Sequence, residues 1–412
     1  MAPMRASRAV IHLDHLRSNL RAIKAHLSSR RTTPPRICCS VKAEAYGHGM
    51  LNVARTLLDE GADALAVATV EEGITLRQAE PDAEIIMYGH PVDSEVPEIV
   101  GARISTFVSE GETIQALDTE SRRQGIRLPV HLIIDTGMGR VGCRPEDALA
   151  AARLIDGSEN LYLRGVVTHF PAADGIAPEM TRQQVQAFEN AVAGIRDAGI
   201  GFDLLHSANS GATLAHPESW FDMVRPGILL YGYYPSDKQE RPLPIKPVMS
   251  LESTLSFVKR VPRGTPISYG MTFRAPRETV IGTVPIGYAD GYFRLFSNRS
   301  EVTVFEAPKD PAAAANPAPD TGVQSVRRES GGDLSPGRRV PVVGVVCMDQ
   351  FMVDLGPESR AAMGDRVVLF GAEEGVPTAE SLAELIGTIP YEILTRISPR
   401  VPRIYVDQAP GL

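Results

Sequence analysis

The sequence predicts an α/β chain plus a β domain: an N-terminal (β/α)8 TIM-like barrel with a C-terminal mostly-β domain. Three observations predict it. Between Ile37 and Tyr231, eight strand-like apolar runs alternate with helix-like segments. Polar, glycine-rich motifs follow the first, fifth, sixth, seventh and eighth runs, as on the active face of a barrel. After Pro244 the texture changes to short β-like runs separated by turn residues. A doubly wound sheet is the alternative for the first part.

The eight runs are Ile37–Lys42, Ala64–Thr69, Glu84–Tyr88, Ile104–Val108, Val130–Asp135, Gly165–Thr168, Phe202–His206 and Met223–Leu230. Each is strand-sized and bounded by polar or turn residues. Among the helical patterns, Arg182 to Ala198 places Val185, Phe188, Val192 and Ile195 at helical spacing. The second part reads as strands over Met249–Val258, Thr279–Pro285, Glu301–Val304, Val340–Val346, Phe351–Leu355 and Arg366–Phe370. At 412 residues the chain is too long for one ordinary core, so we expect two domains, 8–245 and 246–412. The stretch 305–337 is low-complexity and buries little, so it reads as an insertion in the second domain.

Composition narrows the function. With 43% hydrophobic and 22% charged residues, the chain is that of a globular protein. A net charge of −8 argues against a nucleic-acid or anionic-membrane surface. No apolar run is long enough for a transmembrane helix, and Met1 to Ala9 reads as no signal peptide. Cys38, Cys39, Cys143 and Cys347 lack metal-ligand spacing, and Cys38 and Cys39 point to opposite faces of one strand. They read as buried thiols in a reducing cytoplasm, and no metal site is expected.

The most informative segment is Ser40-Val41-Lys42-Ala43-Glu44-Ala45-Tyr46-Gly47-His48-Gly49. A lysine at the mouth of a strand is badly placed for packing. It is well placed to bond covalently to a carbonyl cofactor, although alone it also fits a snorkelling strand-end lysine. Further motifs follow in order. They are Asp135-Thr136-Gly137-Met138-Gly139-Arg140-Val141-Gly142, Thr168-His169-Phe170, His206-Ser207-Ala208-Asn209-Ser210 and Met223-Val224-Arg225-Pro226-Gly227-Ile228. In the second domain come Ile267-Ser268-Tyr269-Gly270-Met271-Thr272-Phe273, Gly287-Tyr288-Ala289-Asp290-Gly291-Tyr292, Cys347-Met348-Asp349-Gln350 and Ile397-Ser398-Pro399-Arg400-Val401-Pro402-Arg403. Together and in this order they resemble the alanine racemase family, from about Arg8 to Val406.

The resemblance implies a pyridoxal 5′-phosphate (PLP) enzyme, cytoplasmic, supplying D-alanine for peptidoglycan. It also implies a head-to-tail homodimer in which one subunit's barrel and the other's β domain share each active site. Lys42 matches the lysine that bonds PLP and serves as one base, and Tyr269 matches the second base on the opposite face of the substrate. Both side chains have reference pKa values of about 10, so each needs help at neutral pH. His169 matches a residue over the cofactor ring that hydrogen-bonds the phenol, although a lone histidine is often a core residue. Tyr46, Ser210, Gly227 and Ile228 match phosphate ligands, the last two through backbone N–H groups. Asn209 is a neighbour with a weaker claim. Arg225 matches the partner of the pyridine nitrogen. Arginine accepts no hydrogen bond and keeps its proton, so the ring stays a weaker electron sink and racemisation is favoured over transamination. Arg140 matches the contact to the cofactor's phenolic oxygen and the substrate carboxylate. Met348 would offer its backbone N–H to that carboxylate from the other subunit. Tyr288 and Arg294 resemble entry-corridor residues, with ordinary domain packing as the alternative.

Two positions depart from the family pattern. Ile133 stands where a lysine, carbamylated to steady the arginine, often occurs. An apolar side chain cannot supply that anion, and a bound chloride is one substitute. Pro399 stands where some members have tyrosine. Both leave open a racemase that prefers serine or accepts many amino acids. A PLP-dependent decarboxylase of the same architecture is a further alternative. It would carry an acidic residue at the pyridine nitrogen, where Arg225 stands. A non-catalytic PLP-binding barrel would lack the second domain.

Overall fold

The computed structural model describes residues 5–306 and 337–407. The chain forms two units, one of His15–Lys246 and one built from the chain up to Asp14 together with the chain from Pro247. The first strand, β1 (Arg8–His12), therefore belongs to the second unit, although the sequence groups it with the barrel. Its partners decide this. It runs antiparallel to Met249–Glu252 and parallel to Arg403–Val406, both remote in sequence.

The unit His15–Lys246 holds eight parallel strands: β2 (Arg36–Ser40), β3 (Ala64–Val67), β4 (Ile85–Met87), β5 (Ser105–Val108), β6 (Leu128–Ile133), β7 (Leu161–Val167), β8 (Leu204–His206) and β9 (Met223–Val224). Their order is β8-β7-β6-β5-β4-β3-β2-β9. Backbone bonds from Asp222 to Leu205 (3.0 Å) and from Arg225 to Ala208 (2.8 Å) link the two ends of this sheet into a ring. All eight expected strands are present. The inner side chains are Cys38, Ala64, Ala66, Ile86, Phe107, Ile133, Val167, Leu204 and Met223. Cys38 belongs to this inner cluster and the buried Cys39 does not, as alternation along a strand requires. The helix Pro178–Asp197 buries Val185, Phe188, Val192 and Ile195, the residues picked out by helical spacing.

Several strands stop earlier than their apolar runs suggest, and for β2 and β9 the cause is local. β2 ends at Ser40 because the chain turns left-handed after Lys42. β9 ends at Val224 because Pro226 and Gly227 break it, and Ile228–Tyr231 is a 3-10 turn.

Among the described residues, the second unit holds a nine-stranded sheet. Besides β1 it contains β10 (Met249–Thr254), β11 (Phe257–Val261), β14 (Thr279–Val284), β15 (Glu301–Phe305), β16 (Arg338–Val343), β17 (Phe351–Gly356), β18 (Arg366–Phe370) and β19 (Arg403–Val406). A separate ribbon pairs β12 (Pro266–Ile267) with β13 (Phe273–Arg274). The order is β11-β14-β17-β16-β15-β18-β10-β1-β19, antiparallel except where β1 meets β19. The run Met249–Val258 is two strands, not one. The expected insertion at 305–337 lies outside the described residues except at its borders, where Phe305 closes β15.

Candidate active site

The site residues of the first unit lie just past the C-terminal ends of its strands, the end at which barrels of this kind do chemistry. Lys42 follows β2, Arg140 lies in the loop after β6, and His169 follows β7. Asn209 and Ser210 follow β8, and Arg225 follows β9.

Beyond Lys42 the backbone does something the sequence does not announce. Ala43, Glu44, Ala45 and Tyr46 all have φ between 51° and 55° and ψ between 39° and 54°. This is one left-handed helical turn made of L-residues, at a cost of about 1–2 kcal/mol per residue. Tertiary contacts hold it. The Ala45 N–H donates to the Val41 carbonyl at 2.8 Å, and the Gly49 N–H to the Glu44 carbonyl at 2.8 Å. Buried His48 lies with Nδ1 2.9 Å from the Ala45 carbonyl, and the Tyr46 ring stacks on Tyr231 at 4.7 Å. Glu72 accepts the Ala43 N–H at 2.7 Å.

The turn delivers the Tyr46 hydroxyl to Gly227. A Cβ on Gly227 would sit 2.5 Å from Tyr46 Oη, so this position must lack a side chain. Ser210 Oγ accepts the Gly227 N–H at 2.9 Å. The Tyr46 and Ser210 hydroxyls thus meet at Gly227, whose N–H is given to Ser210, with the Ile228 amide next along the chain, in a cradle suited to a dianion. Burial pushes the Tyr46 hydroxyl pKa up, so it remains a donor. Asn209 is used differently. Its Oδ1 caps the helix Ser210–Ala215 by accepting the Ala212 N–H at 3.1 Å, and its Nδ2 donates to the Phe170 carbonyl at 3.1 Å.

Arg225 is buried and only donates. Its guanidinium reaches His206 Nδ1 (2.9 Å), the Thr168 carbonyl (2.8 Å), the Ser207 carbonyl (3.0 Å) and His169 Nδ1 (3.3 Å). Its Nε–H has no partner among the described residues. His169 accepts at Nδ1, so its ring proton sits on Nε2. Burial, with Arg225, Arg140 and Lys42 nearby, holds His169 neutral, with its pKa lowered to about 3. His206 passes the order onward: it accepts from Arg225, and its Nε2–H donates to His131 Nδ1 at 2.9 Å. Burial holds His131 down to about 3. Lys42 is lowered too, by burial first and then by Arg140. A chain of net charge −8 thus gathers three cationic groups at one strand-end mouth, as a phosphate and a carboxylate require.

The Arg140 loop is tied by Asp135, whose carboxylate accepts the N–H groups of Gly137, Met138 and Gly139. The Arg140 guanidinium is exposed and makes no hydrogen bond or ion pair among the described residues.

Tyr269 and Met348 belong to the second unit. Ser268 Oγ donates to the Val345 carbonyl at 2.6 Å, tying the Tyr269 turn to the Met348 loop. Asn298 joins the same loops, accepting the Gly344 N–H at 2.6 Å and donating to Thr272 Oγ1 at 3.0 Å. The Met348 carbonyl accepts the Ala289 N–H at 3.0 Å, and its own N–H has no partner among the described residues. Tyr269 is 74% exposed and Met348 53%, with Tyr288 also in solvent. Arg294 and Pro399 are exposed. Among the described residues no cluster of potential metal ligands occurs.

Comparison with known proteins gives the family. The model of the alanine racemase N-terminal domain matches residues 11–235, and that of the C-terminal domain matches 248–310 and 322–405. An alanine racemase of Treponema denticola is 38% identical over 98% of this chain and 99% of its own. The chain belongs to the alanine racemase family.

The solved alanine racemase of Clostridium difficile 630 is 35% identical, with a TM-score of 0.85 over 98% of this chain and 97% of that one. An alanine racemase of Bartonella henselae, solved with covalently bound pyridoxal phosphate, is 25% identical with a TM-score of 0.79, over 97% and 99% of the two chains. Against the alanine racemase pattern, Ile133 is 3% exposed within the barrel's inner cluster, so its side chain supplies no anion to Arg140. The motifs overlooked Glu72, Tyr88 and Asn298. Tyr88 follows β4 and lies under the Arg225 guanidinium, 5.9 Å from its carbon to the ring centre. Glu72 had a legible signal, the capping box begun by Thr69.

Proposed function

We propose that this chain interconverts L-alanine and D-alanine with PLP, in active sites shared between two copies. The observation that supports it most is the side-chain-free cradle at Gly227, where the Ser210 hydroxyl meets that of Tyr46, carried on the turn that follows Lys42. It suits the phosphate of a cofactor bonded to that lysine. When bound, PLP withdraws electrons from the substrate and loosens its Cα–H bond. Lys42 Nζ, its pKa lowered by burial and by Arg140, takes or returns the α-proton on one face. Tyr269 Oη of the second copy does so on the other. His169, neutral with its proton on Nε2, can donate to that phenolic oxygen. Arg225 would supply only N–H groups to the pyridine nitrogen, and among the described residues no carboxylate bonds its guanidinium, which favours return of the proton to Cα. This speaks against the decarboxylase alternative. Arg140 and the Met348 N–H bind the substrate carboxylate.

Exposed Tyr269 and Met348 fit a site completed by a second copy of the chain, in the head-to-tail homodimer the resemblance implies. The buried free thiols Cys38 and Cys39 suit a reducing cytoplasm, where D-alanine would enter peptidoglycan synthesis. The test is to supply purified protein and PLP with single L-amino acids and follow product chirality. Faster inversion of alanine than of serine supports the assignment. Serine is the competitor to run because Ile133 and Pro399 depart from the family pattern. Loss of the carboxylate would favour the decarboxylase, and no inversion of any amino acid would reject the assignment.

A further inference from the structure

The backbone changes hand between Lys42 and Ala43. The peptide plane joining them is therefore the pivot on which the direction of Lys42 depends. One carboxylate holds that pivot. Glu72 Oε1 accepts the Ala43 N–H at 2.7 Å, and Oε2 accepts the Ala68 N–H at 2.8 Å and the Thr69 N–H at 3.4 Å. Ala68 directly continues β3, whose Ala66 pairs with Ser40 and accepts the Val41 N–H at 2.8 Å. Glu72 is itself fixed by the capping box that opens the helix Val70–Ala79.

We propose that Glu72 is a positioning residue that locks the Lys42–Ala43 peptide and so aims Lys42 Nζ at its reaction partner. It acts through the backbone, not on the reacting atoms. This rests on reading Lys42 as the lysine that bonds PLP. Geometry and charge make opposite predictions here. Burial and Arg140 lower the Lys42 pKa, and the negative charge of Glu72 opposes them. Removing that charge increases the free amine and by itself speeds attack on the aldehyde, whereas losing the aim slows it.

The test uses the full chain, freed of cofactor, as wild type, Glu72→Gln and Glu72→Ala. On adding PLP, the Lys42 nitrogen bonds to the aldehyde carbon and the carbonyl oxygen leaves as water, which visible absorbance follows. Pyridoxine 5′-phosphate, an alcohol that cannot take that bond, reports the cradle without Lys42. In Glu72→Ala we expect attachment and kcat to fall about 100-fold, the loss typical of a misplacement of roughly 1 Å. In Glu72→Gln we expect a fall of at least about tenfold. The Kd of pyridoxine 5′-phosphate and the KM for alanine should stay within about threefold. Attachment at or above the wild-type rate in Glu72→Gln overturns the proposal. So does a parallel loss of pyridoxine 5′-phosphate binding, which would mark general damage. Should Glu72→Ala fail to fold, the near-isosteric Glu72→Gln decides alone. A wild-type protein that does not attach PLP would instead overturn the reading of Lys42.

Discussion

Gly227→Ala is the sharpest test of the cradle. The added Cβ would lie 2.5 Å from Tyr46 Oη and 3.2 Å from Tyr46 Cζ. The first distance is about 0.9 Å short of ordinary contact, and Tyr46 cannot simply swing away because its ring stacks on Tyr231. Overpacking of this kind costs about 1–3 kcal/mol of stability. The methyl also occupies the space in which hydroxyl and amide donors would meet a phosphate. Losing two charge-assisted hydrogen bonds at about 1.5–3 kcal/mol each weakens PLP binding by at least about 100-fold. Titration of the cofactor-free protein with PLP, followed by visible absorbance, measures this directly, and thermal unfolding measures the strain. A second substitution separates the two effects. Tyr46→Phe in the Gly227→Ala background removes the atom the methyl strikes, so stability recovers while PLP affinity stays low. PLP affinity within about threefold of wild type in Gly227→Ala would refute the cradle. A double variant no more stable than Gly227→Ala would refute the clash.

Other outcomes follow from the same geometry. Lys42→Ala should lose both the visible absorbance of the attached cofactor and the activity, and activity persisting without an added amine would contradict the assignment. Tyr269→Phe should lose proton exchange on one face of the substrate, so equal loss in both directions of isotope washout argues against it. Mixing Lys42→Ala and Tyr269→Phe chains should regain about a quarter of wild-type activity, because random pairing gives half hybrids with one intact site each. No recovery contradicts shared sites. His131 is held neutral in the folded protein, with its pKa near 3 instead of its ordinary 6.5. The unfolded chain therefore binds a proton that the folded one refuses, and stability falls as pH drops from 6.5 toward 3. The slope from this residue is up to about 1.4 kcal/mol per pH unit. Urea unfolding at several pH values should show a shallower slope in His131→Gln, and an unchanged slope would mean that His131 is not buried neutral.

The barrel was legible because each strand is an apolar run of the right length, and alternation with helices leaves few topologies. β1 was not, because Arg8–His12 reads the same whether it joins the barrel or pairs with β10 and β19. Only contacts with residues far along the chain decide. The left-handed turn was equally hidden. Ala43, Glu44 and Ala45 favour right-handed helices, and nothing local signals that Glu72, His48 and Tyr231 will hold them in the opposite hand. Among the candidate site residues, Lys42, His169, Arg225 and Gly227 are singled out because their motifs occur in a fixed order, and the fold brings each to the C-terminal end of the barrel strands. Asn209 sits in such a motif, yet both ends of its amide are spent on backbone. Asn298 escaped notice because it holds backbone of loops remote in sequence; the Glu72 capping box is legible, but its bond to the Ala43 N–H exists only once the chain has folded.

In the proposed mechanism Lys42 and Tyr269 serve opposite faces of one α-carbon. The most direct measurement is the first turnover of L-alanine in D₂O, with α-deuterium quantified separately in the remaining L-alanine and in the D-alanine formed. Two bases predict that D-alanine carries deuterium from its first appearance, because the proton delivered differs from the proton removed. D-alanine that keeps the original α-hydrogen would mean that a single group carries the proton across, and would contradict the account.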